Sequence, residues 1–405
     1  MTISQEIVDK IRLAAKSQEA AMIDFTQNIV RIPSLSGQEA DVASVITQEM
    51  QELGYDAVWT DDVGNVIGKI TGGDGPTILL NGHMDIVDPG PSDAWSYPPF
   101  SAQIVDDELW GRGSVDMKGP VASMIYAVSL FKRLSLKPRG DVFMTVPVME
   151  EVGGIGTKHL VTHLQANAAI CGEPSNNTIK RGHRGRIELN LKFPGNSVHA
   201  SMPHLAHNPH YDVAAFLAQL PTLVMAQDPI LGASTVAPTL YQTDQESANV
   251  TPGEISLTLD WRNIAHETAD DIITKIENQL VACLGDALAQ QVIIGVARRD
   301  MTTYTGLTDE HPLVFPSYLL ADDDPQVIAA LVTLAKVSGR PEVPGIWDFA
   351  TDGGHLMANN IPTIGFGPGD DQLPHTSQER ISLTQMKEAL VSYTALTFSL
   401  AEAAL

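Results

Sequence analysis

His83 and Asp85 stand two residues apart, just after the apolar run Thr77-Ile78-Leu79-Leu80. In a strand, residues i and i+2 point to the same side, so an imidazole and a carboxylate placed there can converge on one object. The placement recurs along the chain. GRGSVDMKG puts Asp116 ahead of a helical stretch, and the strand-like run ending at Met149 leads into Glu150-Glu151. The run ending at Cys171 leads into Gly172-Glu173-Pro174, and the run ending at Phe366 into GPGDDQLPHTSQE, which carries His375. Taken singly, each has an ordinary reading as a helix cap, a solvated acid pair, a turn residue or an exposed loop histidine. Taken together, five segments bring two imidazoles and five acids toward one edge of one sheet.

Crowded carboxylates repel one another and would be forced to take up protons. A divalent cation removes that conflict, and two cations account for the number of acids. Imidazole and carboxylate without thiolate suit Zn2+, with Co2+ or Mn2+ as alternatives, better than Ca2+ or a cysteine-rich structural zinc site. Two metals ~3.5–4 Å apart need a bridging group, which a carboxylate supplies; the pair polarises a carbonyl and lowers the pKa of a bound water toward ~7. One further carboxylate must stay off the metals to accept the water's proton. The adjacent Glu150 and Glu151 can divide those two duties.

The elements that must position these groups alternate between helix and strand. Val42, Val45, Ile46 and Met50 recur at helical spacing with Gly54 as a stop, and Val121, Met124, Ile125 and Val128 share one helical face. Residues 77–80, the alternating Val142, Met144, Val146 and Val148, and Ala168–Cys171 read as strands. This order predicts an α/β fold, a mostly parallel sheet sandwiched by helices, with ligands outside the carboxyl ends of the strands. The pattern changes near residue 183. RGRIELNLKF, EISLTLDWR and QVIIGVARR alternate as half-wet strands, with helical stretches at YDVAAFLAQL and at Ile272, Ile276 and Leu280. That predicts an inserted α+β domain over 183–300, between the two parts, 1–182 and 301–405, of a discontinuous metal-binding domain. The later part carries a helix over 325–338, a strand at 363–366 and a C-terminal helix from about 383.

The chain has 405 residues and a formal net charge of −24, which disfavours a nucleic-acid partner. No segment approaches the ~18 consecutive apolar residues that a membrane span needs. The first 22 residues are mixed in charge and lack a signal-peptide core, so no export is expected. Two cysteines, Cys171 and Cys283, make no disulfide framework; both read as small core residues in a reducing cytoplasm.

HMD, GRGSVDMKG, MEEVGG, CGEPS and PHTSQE, in that order, closely resemble the zinc-dependent exopeptidase and deacylase family. That family includes acetylornithine deacetylase, succinyl-diaminopimelate desuccinylase, aminoacylase and the bacterial glutamate carboxypeptidases. The resemblance covers nearly the whole chain. It implies that His83, Asp116 and Glu173 bind one zinc and Asp116, Glu151 and His375 the other, with Asp116 as the bridge. It implies Glu150 as general base, and Asp85 as the residue that orients His83. The inserted domain resembles the family's lid and dimerisation domain. His199 in SVHASMPHLAHNP matches a histidine that reaches a neighbouring active site and stabilises the tetrahedral oxyanion. Asn249 and Arg262 match residues that hold substrate carboxylate or carbonyl oxygens.

One position departs from the desuccinylase pattern. ATDGGHL has Gly354 where those relatives carry an arginine, so an anchor for a substrate carboxylate is missing unless His355 or Arg262 compensates. The expected activity is hydrolysis of a small N-acyl amino acid by a metal-activated water in an acetylornithine deacetylase-like homodimer. The alternatives are a dipeptidase or carboxypeptidase of the same family, or a non-catalytic metal-dependent binding protein.

Overall fold

The computed structural model describes residues 3–404, so Met1 and Thr2, the start of the stretch read for a leader, lie outside the described residues. They divide into two compact units. The first runs to His183, takes in Asp300–Asp309 and continues from Tyr318; the second comprises Arg184–Arg299 and Glu310–Ser317. Residues 310–317, expected in the first part, belong to the second unit because Val314–Phe315 pairs antiparallel with Arg186–Pro194.

The first unit is built on a nine-stranded mixed sheet. Its centre is parallel, with Val142–Val146, Ile78–Asn81, Ala168–Cys171 and Thr363–Gly365 side by side in that order. The antiparallel pair Ala57–Thr60 and Val66–Ile70 extends one edge, and Lys180–His183 with its partners extends the other. Every residue of Ile78–Asn81 and Ala168–Cys171 is buried, the signature of strands covered on both faces. Leu160, Val161, Leu356 and Ile361 pack over Leu79 and Ala169. Helices Gly119–Arg133 and Leu383–Ala403, themselves packed together, cover the opposite side.

The second unit is an antiparallel sheet in the order Thr235–Thr243, Glu254–Arg262, Arg186–Pro194, Ile293–Val296. Burial alternates along its two central strands. Their inward residues, among them Leu191, Phe193, Leu259 and Trp261, pack on Val213, Phe216, Ile272 and Ile276 of helices Pro209–Gln219 and Ala269–Leu284. A Thr268–Asp271 capping box starts the second of these helices.

Two details differ from the expectation. The edge strand Thr235–Thr243 gives no alternating signal, because almost every residue is exposed and Pro238 adjoins a register shift. Cys171 is buried as expected, but Cys283 is only part-buried, next to the last residue of its helix. No helix of the described residues is long and apolar enough to cross a membrane.

Candidate metal centre

Each of the four parallel strands ends at a group with ligand chemistry. Ile78–Asn81 delivers His83, Val142–Val146 delivers Glu150 and Glu151, Ala168–Cys171 delivers Glu173, and Thr363–Gly365 leads to His375. Asp116 arrives from the turn before helix Gly119–Arg133, where Asp116 and Met117 have non-helical dihedrals. Lys118 Nζ ties this turn inward by donating to the carbonyls of Ile29, at 3.0 Å, and Ile32, at 2.7 Å.

The groups form two triplets, His83–Asp116–Glu173 and Asp116–Glu151–His375, each with donor atoms within 4.8 Å of one another. His83 Nε2 lies 3.1 Å from Asp116 Oδ1 and 3.6 Å from Glu173 Oε1. His375 Nε2 lies 3.2 Å from Asp116 Oδ2 and 3.0 Å from Glu151 Oε2. A tetrahedral ion with ~2.0–2.1 Å arms has ligand–ligand edges of about 3.3–3.4 Å, so these spacings fit a divalent metal of the zinc type. Asp116 offers one oxygen to each triplet, and Glu150, buried to 7% exposure, belongs to neither.

Protonation in the metal-free site follows from the crowding. Burial, with neighbouring acids adding to it, drives Glu150 and Glu173 far above the usual carboxylate range and raises Glu151. Burial opposes the ionised form of Asp116 too, but hydrogen bonds to His375 and His83 outweigh it and hold that carboxyl well below its ordinary value. Hydrogen bonds to Asp116 and Glu151 push His375 up to about 10. Burial disfavours a charged His83, yet hydrogen bonds to Asp116 and Asp85 overcome it and raise the ring well above its usual value. Two imidazolium protons thus supply the positive charge that this acid cluster requires.

Asp85 departs in detail from its expected part. His83 Nδ1 is 2.9 Å from the backbone carbonyl of Asp85 and 3.4 Å from its carboxylate. That carboxylate instead accepts the backbone N–H of Glu150 (3.0 Å), the N–H of Glu151 (3.2 Å) and the Ser36 hydroxyl (2.6 Å). Two further buried acids perform similar tasks. Glu379, paired with Arg112, accepts the N–H groups of Val115 and Asp116, both at 3.2 Å. Burial raises its pKa to about 8 against the pull of Arg112. Glu39, which burial and the nearby Asp85 raise to about 7, accepts the N–H groups of Gly37 and Met149. Behind the cluster, burial lifts Asp352 to about 6, and its carboxylate accepts the Thr157 hydroxyl at 2.6 Å. Sequence reasoning passed over these three acids. Glu379 ends the PHTSQE motif, but its partner lies 267 residues away.

Gly354 lies buried near the start of the short helix Gly353–Ala358. His355 is buried beside it, and desolvation pushes its pKa well below the ordinary imidazole value, so the ring is neutral and supplies no cationic anchor. In the second unit, His199 is exposed with Nδ1 2.7 Å from Ser201 Oγ. A bridge from His199 to Val250 and the Ala200 N–H on the Asn249 carbonyl bring His199 and Asn249 together. Arg262 Nε donates to Asp260 Oδ1 at 2.7 Å.

Comparison with known proteins gives the family and the fold. The chain is similar to the Escherichia coli K12 protein described as "Uncharacterized protein YgeY", 28% identical over 392 residues, which span 95% of this chain and 96% of that one. It shares its fold with aminopeptidase PepT from Bacillus cereus (TM-score 0.73, 19% identity, 95% of this chain and 99% of that chain). It also shares it with Bacillus subtilis YXEP, a dinuclear metal-binding peptidase (TM-score 0.70, 15% identity, 96% and 99%). The model of peptidase family M20/M25/M40 matches residues 79–398, a stretch that takes in both donor triplets, and the chain belongs to that family of enzymes acting on peptide and related amide bonds.

Proposed function

We propose that the chain hydrolyses the amide bond of a small N-acyl amino acid or dipeptide with the help of two divalent metal ions, Zn2+ in first place and Co2+ or Mn2+ as alternatives. One observation carries the reading: Asp116 serves both donor triplets, while Glu150, equally buried, is left out of both. His83, Asp116 and Glu173 would hold one ion, and Asp116, Glu151 and His375 the other. Such a pair, when bound, polarises a carbonyl and makes water acidic enough to be deprotonated near neutrality.

Glu150 takes the proton of the attacking water and passes it to the nitrogen of the departing amine. Asp85 holds the adjacent amides of Glu150 and Glu151, which keeps base and ligand apart by a fixed distance. His199 is assigned a hydrogen bond to the developing oxyanion, and Asn249 and Arg262 the binding of substrate oxygens. Those three assignments rest on the motifs that carry the residues.

With Gly354 in place of a cation and His355 neutral, the proposed acyl group is uncharged, an acetyl rather than a succinyl group. A dipeptide presents the same amide, and the fold shared with proteins named aminopeptidase and peptidase puts it on equal terms. Homodimerisation through the second unit and a cytoplasmic setting complete the proposal.

The test is elemental analysis of the purified protein followed by assay against N-acetyl amino acids and dipeptides. Glu150→Ala should keep its metal and lose turnover by about 10²–10⁴-fold. A wild-type protein that takes up no metal, or a Glu150→Ala protein with near-normal turnover, overturns the mechanism.

A further inference from the structure

Val148, Met149, Glu150 and Glu151 follow strand Val142–Val146, and each of their backbone N–H groups is held by a side chain from another segment. Asp85 takes the last two, and Glu39 takes that of Met149. The remaining one belongs to Asn65, a fully buried residue that is in neither donor triplet. Its Oδ1 accepts the Val148 N–H at 3.0 Å, and its Nδ2 donates to the Gly156 carbonyl at 2.8 Å. One amide thus spans the neck of the stretch 149–155, gripping the residue before it and the residue after it. The Gly156 N–H closes the same neck on the Val148 carbonyl at 3.1 Å. With its oxygen toward a donor and its nitrogen toward acceptors, the amide has one orientation that satisfies it.

The grip is itself anchored. Asn65 Nδ2 also donates to Asp61 Oδ2 at 2.8 Å, while Asp61 Oδ1 accepts the N–H groups of Val63, Gly64 and Asn65. The Tyr304 hydroxyl donates to the Gly64 carbonyl at 2.9 Å, and its ring lies so close to Gly64, at φ +105, that a Cβ there would collide with it. Within the neck, Met149 is buried at φ +54, a left-handed conformation that residues with a Cβ rarely adopt. Such a conformation persists only where its surroundings hold it. Met149 stands directly before Glu150, so slack at the neck would be taken up in the backbone that aims the Glu150 carboxylate.

We propose that Asn65 is a positioning residue for Glu150, an inference that rests on the reading of Glu150 as general base. Glu151 gains a further anchor when it ligates an ion, whereas Glu150, outside both donor triplets, does not. Loss of the Asn65 grip therefore falls on proton transfer rather than on metal or substrate binding.

Asn65→Ala should keep its metal content and KM and lose kcat by about 10–100-fold, the cost of a misplacement of about 1 Å. In a Glu150→Ala background the same substitution should cost almost nothing further, because a residue that acts through Glu150 has nothing left to position. Hydrogen–deuterium exchange of the metal-free protein should show protection lost across 148–156 and kept in Ala168–Cys171 and Gly119–Arg133. If Asn65→Ala does not fold, Asp61→Asn decides. On its part-exposed turn it keeps the Oδ1 bonds, sets an amide NH2 against Asn65 Nδ2, and should give the same pattern at smaller amplitude. Losses that multiply in the double variant, a fall in metal content, or exchange that rises throughout the chain would make Asn65 a support of the fold and overturn the proposal. An impaired Glu150→Ala beside unimpaired Asn65→Ala and Asp61→Asn removes this inference alone. Near-normal turnover of Glu150→Ala removes the base itself, and this inference with it.

Discussion

The main sheets of the two units are held to different standards. In the first unit, backbone amides on either side of the metal-ligand candidates are fastened by buried carboxylates: Asp85 under Glu150 and Glu151, Glu379 under Asp116, Glu39 under Met149. In the second unit, the sheet buries one face, its edge strand Thr235–Thr243 is almost wholly exposed, and His199 stands in solvent with one hydroxyl neighbour. The contrast follows from chemistry. Metal ligands must be set to within tenths of an ångström before the ion arrives, whereas groups that only meet substrate can be ordered by it.

Substitutions in the two units should therefore separate cleanly by readout. The largest effect belongs to Asp116→Ala, which removes the one residue common to both triplets. Metal content should fall toward zero and hydrolysis to background, as measured by elemental analysis and product release. His199→Ala should come next, lowering kcat by ~10²–10³-fold, the cost of one oxyanion donor, with metal content unchanged. A loss of metal in that variant would erase the contrast between the units.

Glu379→Gln keeps an acceptor for the Val115 and Asp116 amides but puts an amide NH2 in place of the carboxyl oxygen that faces Arg112. Its metal affinity should drop by about 10–100-fold in a competition titration, while its melting temperature in the metal-free state moves little. Unchanged affinity would mean that Glu379 supports the fold and does not position the ligand.

The smallest effect, taken unit by unit, is one of pH. With His375 raised to about 10 by Asp116 and Glu151, the metal-free ring is protonated at neutrality and must shed that proton to bind an ion. Metal affinity should rise with pH, by up to about tenfold per unit for each proton displaced, and level off above about 10. The sign for the metal-free fold is opposite. A histidine raised above its unfolded value stabilises fully below about 6.5, and that contribution is lost as pH rises through about 10. Metal binding measured from pH 6 to 9 that showed no slope would contradict the protonated site.

The ligand candidates were legible because they follow local rules. Apolar runs such as 77–80 and 168–171 announce buried strands, and an imidazole or acid just past the end of such a run in a parallel sheet lands at one edge. Every one of His83, Asp116, Glu151, Glu173 and His375 falls within one of the two triplets. What stayed hidden depends on tertiary partners. The Arg112–Glu379 pair joins segments far apart in the chain, and Glu39 is indistinguishable in sequence from a surface acid of a helix start. Pro238 and a run of exposed residues concealed the edge strand, and the two-residue strand Val314–Phe315 is too short to signal which sheet it joins. The substitution of Gly354 for a family arginine was visible, but only burial reveals that His355 does not replace its charge.

His83 has its tautomer set by main chain. With Nδ1 facing the Asp85 carbonyl oxygen at 2.9 Å, the hydrogen on that nitrogen is pinned to an acceptor that never titrates, so the proton that an arriving ion must displace is the one on Nε2. No side-chain replacement at position 85 can take that acceptor away. The imidazole's aim is thus insulated from mutation and from acidity alike, and a fault at Asp85 would surface first in the neighbouring Glu150–Glu151 turn.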